Sequence, residues 1–142
     1  MRVLDESVKV VDNSLVVTIH DGRKHRIVCR GGVHLCDDGP DTHARAAQFA
    51  IDAGNLQGKI VAWIGGGMCI GPKVFLSAGC KQTVYEIESA LAEFCPRGVT
   101  FVPGDWQATI SGTFDVIVYD LGGDVPRETL ERHLGSGGII LS

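Results

Sequence analysis

The feature that most constrains this fold is a run of three glycines, Gly65 to Gly67, which directly follows the apolar segment KIVAWI. A segment with helical character comes next, so the run reads as a buried strand that turns sharply into a helix. Glycine lets the backbone approach a ligand closely, and a helix N-terminus favours a negative or polar group. The segment VAWIGGGMCIG therefore indicates either a ligand-binding turn or a tight turn of the same shape with no ligand.

The rest of the chain repeats this alternation of strand and helix. A helix is predicted in DDGPDTHARAAQFAIDAG, capped by Asp41 or Thr42 and ended by Gly54. Further helices are expected over residues 70–79, SALAEFC and PRETLERHL, and strands over KIVAWIG, TVYEIE, VTFVPGD, FDVIVYD and GGIILS. Strands that alternate with helices in short order predict an α/β fold with a parallel sheet and right-handed crossovers.

The N-terminal part has a different pattern. Three segments show partial alternation of apolar and polar residues, which is typical of strands: SVKVVD, SLVVTIHD and KHRIVCR. Asp12-Asn13 and Asp21-Gly22 supply turn residues between them, and Asp-Gly is a strong hairpin signal. We predict an antiparallel β-meander over residues 1–36 and a nucleotide-binding domain over residues 37–142.

Composition excludes several classes of protein. A net charge of −4 disfavours a nucleic-acid partner, because neutralising phosphates needs an excess of Lys and Arg. No apolar run approaches the roughly 20 residues that span a bilayer, and the N-terminus lacks a signal-peptide core, so we expect a cytoplasmic protein with no membrane partner. The five cysteines have no paired CxxC spacing, the histidines lack ligand spacing, and we expect no metal site. Cys69, inside the glycine turn, is expected to be a packing residue and not a reactive thiol.

Glu86 ends the predicted strand TVYEIE about 20 residues after the glycine run. An acid at this position can accept two hydrogen bonds from a ribose diol. The alternative is an ordinary solvated acid at a strand end, as we expect Glu88 to be.

Two more strands end on acids. Gly104 and Asp105 follow VTFVP, where a carboxylate can accept the amine of adenine, and Trp106 beside them can stack on the base or close the pocket. Asp120 closes FDVIVYD at the carboxyl end of a buried strand, the edge where open α/β sheets bind ligands. The alternatives are a turn acid with a core tryptophan, and an acid that only caps a loop.

Five segments together resemble class I SAM-dependent methyltransferases (SAM, S-adenosylmethionine) in their order and spacing. They are VAWIGGGMCIG, TVYEIE, FVPGDW, FDVIVYD and GSGGIILS. The chain most resembles the spermidine synthase, or polyamine aminopropyltransferase, group of that superfamily. The resemblance implies a Rossmann-like, SAM-binding αβα sandwich preceded by a small meander. It also implies that SAM or a related thionucleoside binds at these strand ends, through residues Gly65, Gly66, Gly67, Glu86, Gly104, Asp105, Trp106 and Asp120.

The roles implied by the resemblance differ along the site. The glycine turn would hold the methionine or thioether portion, Glu86 the ribose and Asp105 the adenine. Asp120 would lie beside the acceptor, a small molecule of unknown identity, as a general base or an orienting group. The function predicted is that of a SAM-dependent transferase.

The chain also departs from the spermidine synthase pattern. Met68 stands where that group has an acid after the third glycine, and Asp124 lies one position later than its second acid. The segment that recognises the polyamine has no counterpart, and the sequence stops at the predicted fifth strand. We therefore expect an abbreviated relative that does not use a polyamine.

Two other functions stay open. A NAD-dependent or flavin Rossmann oxidoreductase also places an acid near Glu86, but Ile70 stands where its glycine motif needs Gly or Ala. A non-catalytic methyltransferase-like domain that assembles through its sheet edge is the third possibility. GGIILS would leave Ile139, Ile140 and Leu141 on an open edge, so we expect a homodimer.

Overall fold

The computed structural model describes residues 5–11, 14–21, 24–29, 34–37 and 39–142, with side chains from residue 39 onward. Its first part is an antiparallel sheet of four strands in sequential order. The strands are β1 (Asp5–Val11), β2 (Ser14–Asp21), β3 (Lys24–Cys29) and β4 (His34–Asp37). The predicted meander is confirmed, although the turn residues Asp12, Asn13 and Gly22 lie outside the described residues. The division of the chain into two domains after residue 36 stays a prediction.

The second sheet is parallel and has five strands. They are β5 (Ile60–Ile64), β6 (Lys81–Glu86), β7 (Thr100–Pro103), β8 (Phe114–Tyr119) and β9 (Leu134–Leu141), in the order β7-β6-β5-β8-β9. The chain runs outward from β5 to β7 and then returns to β8. This reversal opens a crevice between the carboxyl ends of β5 and β8, where ligands of open α/β sheets bind.

Four α-helices and two 3₁₀ helices connect these strands. The α-helices are α1 (Pro40–Ala53), α2 (Ile70–Phe75), α3 (Trp106–Thr109) and α4 (Arg127–Glu131), and the 3₁₀ helices span Leu76–Ala78 and Ser89–Phe94. No helix within the described residues has both the length and the apolar character needed to cross a membrane.

Several helix boundaries differ from the predicted ones. Neither Asp41 nor Thr42 caps α1, which begins at Pro40 with Gly39 in the capping position. Proline suits the first helical position because it has no amide hydrogen to leave unpaired there. The helix predicted over residues 70–79 ends as an α-helix at Phe75, and the segment SALAEF forms a 3₁₀ helix. The short helix α3 was not predicted.

The two faces of the parallel sheet carry separate cores. Along β5, Trp63 points to the face covered by α1 and α2, where it contacts Phe49 and Phe75 with ring centroids 6.1 and 4.7 Å away. Ile64 points to the opposite face and packs in a cluster that includes Trp106 and Leu130 of α3 and α4. Helices on both faces of a parallel sheet make an αβα sandwich, which confirms the predicted fold class.

A buried polar side chain joins the first of these cores to the sheet. Gln82 of β6 is 5% exposed, and its Oε1 accepts the indole N–H of Trp63 at 2.8 Å. Its Nε2 donates to the carbonyl of Pro72 at 3.0 Å, at the start of α2. Gln82 therefore satisfies a donor and an acceptor that have no access to water.

Replacing Gln82 with Met keeps the volume of the side chain but removes both hydrogen bonds. We expect the free energy of unfolding to fall by roughly 2–4 kcal/mol, because two buried polar groups lose their partners. Urea unfolding followed by tryptophan fluorescence measures the change. Gln48→Met is the control, since Gln48 is exposed on α1 and its replacement should change stability by less than about 0.5 kcal/mol. Equal stabilities of the two variants would contradict the expectation.

Candidate functional site

The structure brings the predicted residues together at the carboxyl edge of the parallel sheet. The amides of Gly65 and Gly104 donate to carbonyls of β6 at 2.9 and 3.0 Å. The amide of Asp120 donates to the carbonyl of Ile64 at 2.9 Å. These bonds continue the sheet pairing just beyond the strands, so the ends of β5, β6, β7 and β8 are held side by side.

The glycine turn is packed too closely for larger residues. Gly65 has a φ of +87°, and a Cβ added to it would lie 2.5 Å from Cδ2 of Leu121. A Cβ on Gly66 would lie 2.3 Å from Cγ1 of Val84 in β6. Glycine is thus needed at position 65 because of the backbone conformation there. At position 66 it is needed because the backbone packs closely on β6.

Glu86 holds this turn against the end of β6. Its Oε1 accepts the amides of Gly66 and Gly67 at 3.3 and 3.0 Å, and its Oε2 accepts the amide of Glu88 at 2.9 Å. The side chain is only 3% exposed. A carboxylate has about four acceptor positions, so one on Oε2 is not filled by residues 39–142, and its use by a ribose hydroxyl stays a prediction. To accept both hydroxyls of a diol, Glu86 would have to release one of the three amides. The amide of Gly66 would be released first, because its contact is the longest of the three.

Glu88 is not the solvated acid that we expected. It is 4% exposed, and its Oε1 accepts the amide of Ala90 at 3.3 Å, which caps the 3₁₀ helix Ser89–Phe94. The chain turns directly from β6 into this helix, so the carboxylate is drawn onto the helix start. The expectation failed because a capping position was taken for an open loop.

Asp105 and Trp106 follow β7 and point in different directions. Asp105 is exposed and caps α3, with Oδ1 accepting the amide of Gln107 at 3.0 Å. Trp106 is 8% exposed and packs edge-on against Tyr119, with centroids 6.4 Å apart. Oδ2 of Asp105 is therefore the candidate acceptor for an adenine amine, whereas the burial of Trp106 favours a core role. The contact of either residue with a ligand stays a prediction.

Asp120 is paired with a residue that the sequence did not single out. Arg45 of α1 places its Nε 2.9 Å from Oδ1 of Asp120, and its Cζ lies 5.1 Å from the ring centre of Phe49. Burial raises the pKa of the Asp120 carboxyl above its usual range, and the Arg45 guanidinium opposes this rise. The spacing of Arg45 and Phe49, four residues on one helix, was visible in the sequence. Their pairing with Asp120 was not, because α1 and β8 are far apart along the chain.

Met68 and Cys69 continue the glycine turn into the core. Met68 is 5% exposed and packs in a cluster with Ala46 of α1 and with Leu91. Cys69 is fully buried in the neighbouring core cluster, and burial is the main cause that raises its pKa to about 12. A thiol with this pKa stays protonated at neutral pH, which agrees with a packing role.

Neither a protein-family model nor a curated protein sequence matches this chain. Solved structures do. The glycopeptide N-methyltransferase MtfA is 25% identical with a TM-score of 0.57, over 74% of this chain and 54% of that one. A protein-L-isoaspartate O-methyltransferase is 23% identical with a TM-score of 0.64, over 77% and 38%. A SAM-dependent methyltransferase from Thiobacillus denitrificans, in complex with S-adenosyl-L-homocysteine, is 21% identical with a TM-score of 0.60, over 72% and 47%.

These similarities show that the chain has the fold of SAM-dependent methyltransferases. The matched part spans about half or less of each of those proteins. The predicted superfamily resemblance is confirmed at the level of the fold. The narrower resemblance to spermidine synthases stays a prediction.

The pairing of Arg45 with Asp120 predicts a shift in titration. Arg45→Gln removes the positive charge that opposes the effect of burial, so the pKa of Asp120 should rise further above its usual value. The carboxylate would then take up its proton at a higher pH than in the wild type. NMR titration of the Asp120 side-chain carbon measures both midpoints. Arg132→Gln, on the exposed end of α4, is the control, and an equal shift in both variants would rule out a direct effect.

Proposed function

We propose that this chain binds SAM or a related thionucleoside in the crevice beside the glycine turn and acts as a SAM-dependent transferase. One observation carries the proposal. A glycine turn and three strand-end acids, Glu86, Asp105 and Asp120, lie along one edge of a sheet with the fold of SAM-dependent methyltransferases. The structurally similar enzyme bound to S-adenosyl-L-homocysteine supports the class of ligand.

The chemistry of these residues fits such a ligand from one end to the other. Oε2 of Glu86 has an acceptor position for a ribose hydroxyl, and Asp105 is exposed where an adenine amine would lie. The backbone of Gly65 and Gly66 allows close approach of a thioether portion. When bound, SAM would supply an activated methyl group on its sulfonium.

Asp120 would then lie next to the reacting end of the ligand. Its side chain is 37% exposed, so an acceptor can reach it, and Arg45 fixes its orientation at 2.9 Å. Transfer from a sulfonium depends mostly on alignment, and only the acceptor's proton needs a base. We assign Asp120 the role of orienting the acceptor or removing that proton.

The acceptor is proposed to be a small molecule other than a polyamine. Met68 is a buried apolar residue in the turn, and Asp120 is neutralised by Arg45. Among the described residues of the crevice, Glu86 is already engaged by backbone amides. A cationic acceptor at the position of Met68 would therefore meet an apolar side chain and no acid.

We propose that the chain forms a homodimer and is cytoplasmic. β9 lies at the edge of the parallel sheet, and Ile139 on it is 38% exposed, which suits pairing with a second copy of the chain.

Glu86→Ala tests the placement of the cofactor. Loss of the ribose contact and of the anchor for Gly66 and Gly67 should weaken SAM binding by roughly 1–3 kcal/mol. Isothermal titration calorimetry with SAM, methylthioadenosine and NAD measures the affinities and also separates the proposed function from an oxidoreductase. Glu131→Ala, on the exposed face of α4, is the matched control. Unchanged SAM affinity in a folded Glu86→Ala protein would remove Glu86 from the site. A wild-type chain that binds none of the three ligands would favour the non-catalytic alternative.

Aminopropyl transfer is expected to be absent. The wild-type chain should form no measurable spermidine from putrescine and decarboxylated SAM, because the buried apolar side chain of Met68 stands where a cationic amine would need an acid. Chromatography of the reaction products measures this, with a known spermidine synthase as the positive control. Robust formation of spermidine would show that a polyamine is the acceptor after all.

A further inference from the structure

Arg45 is a half-exposed cation held at the mouth of the crevice. Its guanidinium lies over the ring of Phe49 at 5.1 Å, and its side chain is 51% exposed. Asp120 is the acid that it contacts within residues 39–142. The aromatic ring and the acid together restrict a side chain that would otherwise be free to move.

Within residues 39–142, Nε is the nitrogen of this guanidinium that is engaged by an acid. A guanidinium carries five N–H donors in one plane, and the contact with Asp120 is made by Nε at 2.9 Å. The ring of Phe49 lies beside the same guanidinium, with its centre 5.1 Å from Cζ. Arginine held in this way matches a planar carboxylate, with which it forms two parallel hydrogen bonds.

The position of Arg45 relative to the glycine turn indicates which part of a ligand it would meet. The backbone carbonyl of Asp120 would lie 3.2 Å from a Cβ on Gly65, so the residue that pairs with Arg45 directly borders the turn. Glu86 borders the same turn from the other side, on β6. A nucleoside with its sugar near Glu86 would therefore extend its opposite end across the turn toward Arg45.

We propose that Arg45 is a carboxylate-binding residue of this site and that Asp120 occupies its guanidinium until a ligand carboxylate replaces it. This inference rests on the proposed function. The carboxylate has two possible sources, the methionine portion of SAM or the acceptor. Binding of the SAM carboxylate would make the site select SAM over decarboxylated SAM, and so select methyl transfer over aminopropyl transfer.

The first experiment compares SAM with decarboxylated SAM, which lacks only the carboxylate. Calorimetry gives both affinities for the wild type, Arg45→Gln and Arg45→Lys. If the carboxylate belongs to the cofactor, the wild type should prefer SAM by tenfold or more. Arg45→Gln should lose this preference while keeping its affinity for decarboxylated SAM, and Arg45→Lys should retain part of it because it keeps the charge without the planar donors.

The second experiment tests the acceptor as the source. Glutarate is titrated into ¹⁵N-labelled protein saturated with S-adenosylhomocysteine, and the backbone amide signals of the glycine turn, which every variant retains, report binding. If SAM and decarboxylated SAM bind equally well to the wild type, glutarate should bind at least tenfold more weakly to Arg45→Gln than to the wild type. Arg132→Gln, whose guanidinium lies on α4 and contacts only Glu128 at 3.7 Å among the described acids, should behave as the wild type in both experiments.

The outcomes separate this inference from the proposed function. If the binding of SAM or of glutarate depends on Arg45, and Arg132→Gln binds both as the wild type does, the inference is supported. The ligand whose binding depends on Arg45 then identifies the source of the carboxylate. SAM binding that is the same in wild type and Arg45→Gln, together with glutarate binding that is also the same, would overturn it while leaving the proposed function in place. A wild-type chain that binds no adenosyl ligand would overturn both. A ¹H–¹⁵N spectrum of each variant shows that it is folded.

Discussion

The carboxylate of Glu86 is the group on which the geometry of the site depends. A buried carboxylate is costly unless hydrogen bonds replace its water, and three backbone amides do so here, from Gly66, Gly67 and Glu88. These bonds join the end of β6 to the turn that follows β5. This turn leads directly into the start of α2, and it places the side chain of Met68 in the core. One side chain therefore fixes both the shape of the crevice and the direction in which the chain leaves it.

The two sides of the crevice differ in electrostatic character. On the β6 side, the charge of Glu86 is satisfied by the local backbone. On the β8 side, the charge of Asp120 is satisfied by Arg45, which comes from the helix that precedes the whole parallel sheet. A local backbone contact is broken only with a change in the turn, whereas an exposed ion pair exchanges partners readily. The β8 side is thus the one at which a charged part of a ligand can compete.

Much of the parallel sheet followed from local patterns. All five strands of that sheet were predicted near their observed positions, because buried parallel strands are short apolar runs bounded by turn residues. Helix ends were less predictable. α1 starts at Pro40 and not after Asp41 or Thr42, and the segment after Glu88 forms a 3₁₀ helix. Such boundaries depend on which of several neighbouring residues the tertiary packing places at the helix start.

The sequence by itself determined the alternation of strands and helices, the glycine turn and the acids at the ends of three strands. These features are local, since they depend on periodicity and on the conformations that glycine allows. Only the tertiary structure decided what the acids do there: Glu86 binds the turn, Asp105 caps α3, and Asp120 pairs with Arg45. Residues 45 and 120 meet because the returning strand β8 lies next to β5 and α1 packs on the face of the sheet that both strands share. Contacts between elements so distant in the chain are set by the packing of the whole sheet, which no local pattern records.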